Sequence, residues 1–248
     1  MKRHIPNLIT LGNLACGCVG ISFAHVGNLW GAALLLLLAA VLDFFDGFVA
    51  RLLKVPGELG AQLDSLADLV TFGVLPAFIA QDLFMLAAVD EPWAKMYFLN
   101  GASSYAQLIF IFTLGGAYRL ARFNISGNSK EFIGLPIPAA GLYLSSFALI
   151  YRFGFGHALS PLSDSTIEAY VTSTWVILIS AVVMGVLMVS KLRLMTLKIA
   201  SFTFKGNELR VVLILCSIVL LIFFGVLAIQ LIVLLYLILS IIQNVTAK

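Results

Sequence analysis

The sequence predicts an all-α integral membrane protein of about eight transmembrane helices, and three observations predict it. Of 248 residues, 61% are hydrophobic and 11% charged, with a mean hydropathy of +1.06, a composition far from that of a soluble globular domain. The apolar runs are too long for barrel strands and lack the two-residue alternation of an outer-membrane barrel. A spanning helix uses about 20 apolar residues, so eight would occupy roughly 160 positions and leave no room for a large aqueous catalytic module.

The first span is expected at 7–25. It follows a basic Met1-Lys2-Arg3-His4 start like that of a signal peptide, but a second apolar segment follows at once, so a retained helix is expected. Hydropathy and helix breakers then place spans at 29–50, 62–80, 101–120, 136–152 and 171–190. In Pro136-Ile137-Pro138 the prolines read as helix-start and kink residues. From Leu209 to Ile242 only Ser217, Gly225, Gln230 and Ser240 interrupt the apolar pattern. At 1.5 Å rise per residue that stretch would make a helix of about 51 Å, longer than the ~30 Å hydrocarbon core. A tight turn near Gly225 is therefore expected, giving spans at 209–225 and 229–243.

The formal charge of +3 comes from 15 Lys+Arg against 12 Asp+Glu, with no basic patch interleaved with aromatics, so the excess speaks of membrane topology and not of nucleic acid. With eight spans and a cytoplasmic N-terminus, 13 of the 15 basic residues face the cytoplasm and only Lys95 and Arg152 lie outside, as the positive-inside rule demands. Both termini are then cytoplasmic. Trp30, Trp93 and Trp175 fall near the outer span ends, where an interfacial aromatic belt would sit. Cys16, Cys18 and Cys216 lie in apolar runs and receive no chemical role. His4, His25 and His157 are scattered and read as solvated.

Ionisable groups inside membrane helices cost several kcal/mol unless a partner, cavity or metal receives them. Asp43 and Asp46 stand near the inner end of the second span, and Asp64 and Asp68 at the inner start of the third. The i,i+3 pair Asp43/Asp46, with Ala50, faces one side of its helix; Gly60, Asp64 and Asp68 repeat at i,i+4 on theirs. A short turn containing Pro56-Gly57 joins the two, so antiparallel neighbours bring both acidic faces together at one depth. Four such carboxylates repel one another and call for cations. Hard oxygen donors favour Mg²⁺ or Mn²⁺, admit Ca²⁺ and disfavour zinc, since no His or Cys stands nearby. Gly47, Ala50 and Gly60 read either as small contacts between helices or as room left for a ligand.

Residues 43–68 read Asp-x2-Asp-Gly-x2-Ala-Arg-x8-Gly-x3-Asp-x3-Asp, which resembles the complete signature of the CDP-alcohol phosphatidyltransferase family. The resemblance implies a six-helix core, a homodimer, two divalent cations and an active site open to the cytoplasmic leaflet of the cell membrane. It implies that Asp43, Asp46, Asp64 and Asp68 hold metal, that Asp68 also acts as general base, and that Gly47, Ala50, Arg51 and Gly60 cradle the CDP group. The core would occupy 1–205, with 206–248 a C-terminal hairpin of the same compact unit.

Three further stretches resemble the serine-accepting branch of that family, the membrane-integral phosphatidylserine synthases. They are Pro6-Asn7-Leu8-Ile9-Thr10-Leu11-Gly12-Asn13, Arg119-Leu120-Ala121-Arg122-Phe123-Asn124 and Phe132 to Ala140. The resemblance implies CDP-diacylglycerol and L-serine as substrates. Asn7 and Thr10 stand as nucleotide contacts or interfacial caps. Arg119 and Arg122 stand as positive-inside residues or as cations for the acceptor's carboxylate or the lipid phosphate. The alternatives are another acceptor, glycerol 3-phosphate or an inositol phosphate, an intramembrane prenyltransferase, and an ion-coupled transporter.

Overall fold

The computed structural model describes residues 4–55, 57–89, 102–126, 132–154, 159–195 and 207–246. The first two helices, α1 (His4–His25) and α2 (Leu29–Leu52), form a hairpin. Its turn needs Gly27 at φ +80°, a left-handed conformation that glycine adopts freely. Asn28 then caps α2 by accepting the Gly31 N–H at 3.1 Å.

The third apolar segment runs unbroken from Glu58 to Ala88, but its winding changes within it. After α3 (Glu58–Asp68) come a wide π turn over Leu69–Val74 and then α4 (Leu75–Ala88). Pro76, in the first turn of α4, has no N–H to donate, which disrupts the regular ladder. The Gly73 carbonyl also accepts the Thr113 hydroxyl at 2.8 Å. Such a turn re-aims the residues around it, and Asp68 is the last residue before it. Because α4 continues to Ala88, beyond the expected limit of 80, a fifth acid, Asp82, also lies within the helical segment, facing His25. His25 itself is exposed, as expected.

The chain continues through α5 (Ala102–Gln107), one 3-10 turn, α6 (Ile111–Ser126), β1 (Phe132–Ile133), α7 (Ile137–Phe153), α8 (Asp164–Val171), α9 (Thr174–Val189) and β2 (Arg193–Leu194). Pro136 precedes α7 and Pro138 sits in its first turn, so both are helix-start residues and neither kinks it. The expected span 171–190 starts later: Ser163 and Ser173 cap α8 and α9, which meet at 61°. The antiparallel pairing of β1 with β2, Phe132 opposite Leu194, was not anticipated. It ties the entry to α7 to the exit from α9.

Two last helices, α10 (Glu208–Phe224) and α11 (Ala228–Thr246), flank a break at Gly225, where φ is +52°. They pack against each other, so the chain turns back where the length argument requires it. By length and composition, five described runs suffice to cross a membrane, Glu208–Asn244 being taken as one; α8 with α9 makes a sixth, and α7 is a shorter apolar helix. This is an all-α integral membrane protein.

The core, with Leu36, Phe72, Phe84, Phe112 and Phe147 fully buried, lies among α2, α4, α6, α7 and α9 and takes in Leu213 of α10 and Val233, Tyr236 and Leu237 of α11. The expected boundary at 205/206 falls outside the described residues. So do Lys2, Arg3, Pro56, Trp93, Lys95, Lys130, His157, Lys198, Lys205 and Lys248. Trp30 and Trp175 are exposed at the first turns of α2 and α9, and Trp30 meets Phe153, at the end of α7, edge to face at 5.9 Å. Cys16, Cys18 and Cys216 are free.

Candidate active site

The acidic residues converge by a different route from the one expected. Helices α2 and α3 do not pack closely along their length; α1 packs on both and holds them a side chain's reach apart. The acids cross that gap. Carboxylate oxygens of Asp43 from α2 and of Asp64 and Asp68 from α3 lie within 4.8 Å of one another, and Asp43 comes within hydrogen-bonding reach of both partners. Asp46 is buried beside this trio, close enough for its charge to act on all three. Its Oδ2 accepts the Thr10 hydroxyl at 2.6 Å.

Next to the acids, a cavity of about 200 Å³ is lined by Asn7 and Thr10 of α1, Asp46, Gly47 and Ala50 of α2, and Gly60 and Asp64 of α3, among others. The small residues are what leave it open. A Cβ on Gly60 would stand 3.2 Å from Asn7 Oδ1, so any larger side chain there enters the space between α1 and α3. Seven of the twelve expected site residues therefore line one cavity, with Asp43 and Asp68 alongside. Arg51 is exposed and does not line it, but its guanidinium stands on the same side of α2 as Gly47.

The two arginines of α6 lie apart from that cavity. Arg119 is nine-tenths buried and faces Asp68 closely enough for their charges to interact. Its Nε has no hydrogen-bond partner among the described residues. Arg122 donates from Nη1 to the Val189 carbonyl at 3.3 Å. Asn124, two residues after Arg122, accepts the Ser65 hydroxyl at 3.1 Å and so ties α6 to α3.

The donor set at the acids can be tested against the cations that the pattern implies. Asp68 Oδ1 is buried without a hydrogen-bond partner among the described residues, which is costly unless something neutralises it. Together with Asp43 and Asp64 it forms an all-oxygen donor set with excess negative charge, the chemistry that suits a hard divalent cation. The residues thus fit the cations that their pattern implies. Asn13 is a residue that sequence reasoning did not single out. It is fully buried one turn beyond Thr10 on α1, its amide also without a partner among the described residues. Its position in the Thr10-x2-Asn13 spacing was the signal available.

The chain has relatives among known proteins. Residues 3–242 match the family described as CDP-alcohol phosphatidyltransferase. The chain is 36% identical over 151 residues to CDP-diacylglycerol–serine O-phosphatidyltransferase of Bacillus subtilis, covering 60% of this chain and 78% of that one. It is 33% identical over 192 residues to the enzyme of the same name from Helicobacter pylori, covering 76% and 70%. With archaetidylserine synthase of Methanothermobacter thermautotrophicus it shares 38% over 160 residues, 63% of this chain and 61% of the relative.

Proposed function

The chain belongs to the CDP-alcohol phosphatidyltransferase family, and from that footing we propose that it transfers the phosphatidyl group of CDP-diacylglycerol to the hydroxyl of L-serine, giving phosphatidylserine and CMP. The observation that carries the reading is the meeting of Asp43, Asp64 and Asp68 beside a cavity kept open by Gly47, Ala50 and Gly60. Serine as acceptor is supported by the names of the relatives, serine phosphatidyltransferases from two bacteria and an archaetidylserine synthase.

In this reading the CDP group enters the cavity, where Asn7 and Thr10 on one wall and Gly47, Ala50 and Gly60 on the others accept it, with Arg51 at its edge. Asp43, Asp46, Asp64 and Asp68 would hold two divalent cations, Mg²⁺ or Mn²⁺, which when bound neutralise the diphosphate and the charge that builds up on the departing CMP. Thr10 orients Asp46 through its hydroxyl. Asp68 takes the serine proton as the hydroxyl oxygen attacks the phosphorus bearing diacylglycerol, and the bond to CMP breaks. A carboxylate is a weak base for an alcohol, so its contribution comes late in the transfer and through placement. Arg119, beside Asp68 and off the CDP cavity, is placed to meet the serine carboxylate or the lipid phosphate; Arg122 shares its helix face.

The positive-inside pattern supports a cytoplasmic active site in the cell membrane, with lipid arriving sideways and serine from the water phase. A homodimer is part of the same proposal. The deciding assay gives purified protein CDP-diacylglycerol, Mg²⁺ or Mn²⁺ and a panel of alcohols. CMP release with serine is expected. Release only with glycerol 3-phosphate or an inositol phosphate would move the acceptor, and no release at all would refute transfer.

Two predictions arise directly. Chelation with EDTA should abolish CMP release and readdition of Mg²⁺ or Mn²⁺ should restore it; full activity in chelator would remove the cations from the scheme. Thr10→Val keeps the shape of the side chain while deleting the donor to Asp46. By the usual effect of losing a group that orients a metal ligand, activity at limiting metal should fall about 10- to 100-fold, recovering in part at high Mg²⁺. An unchanged metal titration would separate Thr10 from the site.

A further inference from the structure

Among the buried polar groups that the proposed chemistry does not use, one set lies on the C-terminal hairpin. Tyr236 and Ser240, one turn apart on the apolar helix α11, are both buried. The Tyr236 hydroxyl donates to the Met195 carbonyl at 2.9 Å, and Ser240 Oγ accepts the Met195 N–H at 3.1 Å. Asn244, a turn further on, donates its side-chain amide to the Arg193 carbonyl. The helix thus grips both polar backbone groups of the residue that follows β2. A hairpin that served only to fill lipid would have no need of hydroxyls inside it, where they are costly unless bonded.

What α11 holds is connected to the catalytic region. The β2 segment pairs with β1, and the Gly134 N–H donates to the Leu192 carbonyl at 2.8 Å while that of Leu135 reaches Leu187 at 3.1 Å. The same exit from α9 supplies the Val189 carbonyl that receives Arg122. Hydrogen bonds and a few residues of backbone therefore lead from α11 to the arginine face of α6. Arg119, on that face, is close enough to Tyr236 for the two to interact electrostatically.

We propose that the C-terminal hairpin is a working part of the acceptor side of the active site: Tyr236 and Ser240 fix the Arg193–Met195 segment and through it the Arg119–Arg122 face of α6, which makes Tyr236 a positioning residue for the alcohol. This rests on the reading of those arginines as the acceptor's cations. The CDP cavity, built from α1, α2 and α3, lies outside this linkage.

The test compares the wild type with Tyr236→Phe, Ser240→Ala and a control, Tyr170→Phe. Tyr170 donates to Gln230 Oε1 at 2.7 Å, so the control removes a bond of the same kind from the other end of the same helix. Steady-state kinetics are measured in detergent micelles, using as acceptor whichever alcohol releases CMP from the wild type. A wrong assignment of serine is thus exposed by the wild type alone and leaves the comparison intact. Tyr236→Phe and Ser240→Ala should raise the acceptor KM about 3- to 10-fold, the usual consequence of one lost hydrogen bond, with the KM for CDP-diacylglycerol unchanged and kcat within about twofold. Tyr170→Phe should move none of these. An acceptor KM unmoved in both test variants, or raised as much in the control, would overturn the proposal. Should one test variant fail to fold, the other decides.

Discussion

Asp68→Asn is expected to lower kcat by about 10³-fold or more, the combined scale of losing a proton acceptor and a charge at the reacting centre, while the protein still folds. Asparagine has the same shape as aspartate, so the buried position at the start of the π turn is filled as before. What changes is charge. Asp68 interacts with Asp43, Asp46 and Asp64, and the oxygens of the trio lie within 4.8 Å. Two unit charges at such a separation repel by about 3–4 kcal/mol at an effective dielectric near 20. With divalent cations present this repulsion is screened; in EDTA the site avoids it by taking up protons, a cost that asparagine does not share. The variant should therefore melt at or above the wild-type temperature in EDTA, and gain less than the wild type when Mg²⁺ is added. Thermal melts with and without Mg²⁺, run beside CMP release, check both halves. Activity within tenfold of wild type would remove Asp68 as the base. A variant that melts lower in EDTA and gains as much from Mg²⁺ would show that the carboxylates do not form one cation site.

Gly115→Val is expected to be among the most damaging single changes away from the acids. A Cβ on Gly115 of α6 would overlap the Gly185 carbonyl oxygen of α9, and one on Gly185 would come within 2.9 Å of the Ile111 carbonyl oxygen. Backbone meets backbone on both sides, so no flexible side chain can give way. Close approach of this kind is how membrane helices without a hydrophobic driving force between them gain packing energy. Inserting a branched side chain should cost about 3 kcal/mol, the upper part of the usual overpacking range, which for a chain of this size lowers the melting temperature by roughly 6–12 °C. Arg119 and Arg122 follow Gly115 on the same helix at i+4 and i+7, and Arg122 bonds to α9 itself. Spreading the two helices should thus also raise the acceptor KM in whatever protein survives. Fluorescence-detected thermal shift in detergent checks the first effect. A variant as stable as wild type would mean that the α6–α9 contact is not a tight one.

The candidate site was readable in the sequence to an unusual degree, because the lipid bilayer makes a charged residue conspicuous. Asp43, Asp46, Asp64 and Asp68 stand out from their apolar surroundings, and their i,i+3 and i,i+4 spacing assigns each pair to one helix face. The turn near Gly225 was legible for a similar reason, since membrane thickness limits how long a helix can run. By contrast, Asp82 was missed because the third apolar run continues through it to Ala88. The π turn was missed because nothing in the local spacing marks it: Pro76 stands in the first turn of α4, where a proline is ordinary, and the Thr113 hydroxyl that the Gly73 carbonyl accepts comes from a helix 40 residues on.

Sequence alone therefore determined that this chain is a bundle of membrane helices carrying a paired acidic motif at one depth, since hydropathy, length and helical periodicity are local properties. Only the tertiary structure decided how the motif is assembled. It set α1 between α2 and α3, so that three carboxylates share a gap while Asp46 is held by Thr10. It brought Arg119 to Asp68 and pinned the far C-terminal helix to the exit of α9. Those relations depend on which helix packs beside which, and that is settled by close contact between small residues and by hydrogen bonds spanning tens of positions, neither of which leaves a periodic trace in the chain.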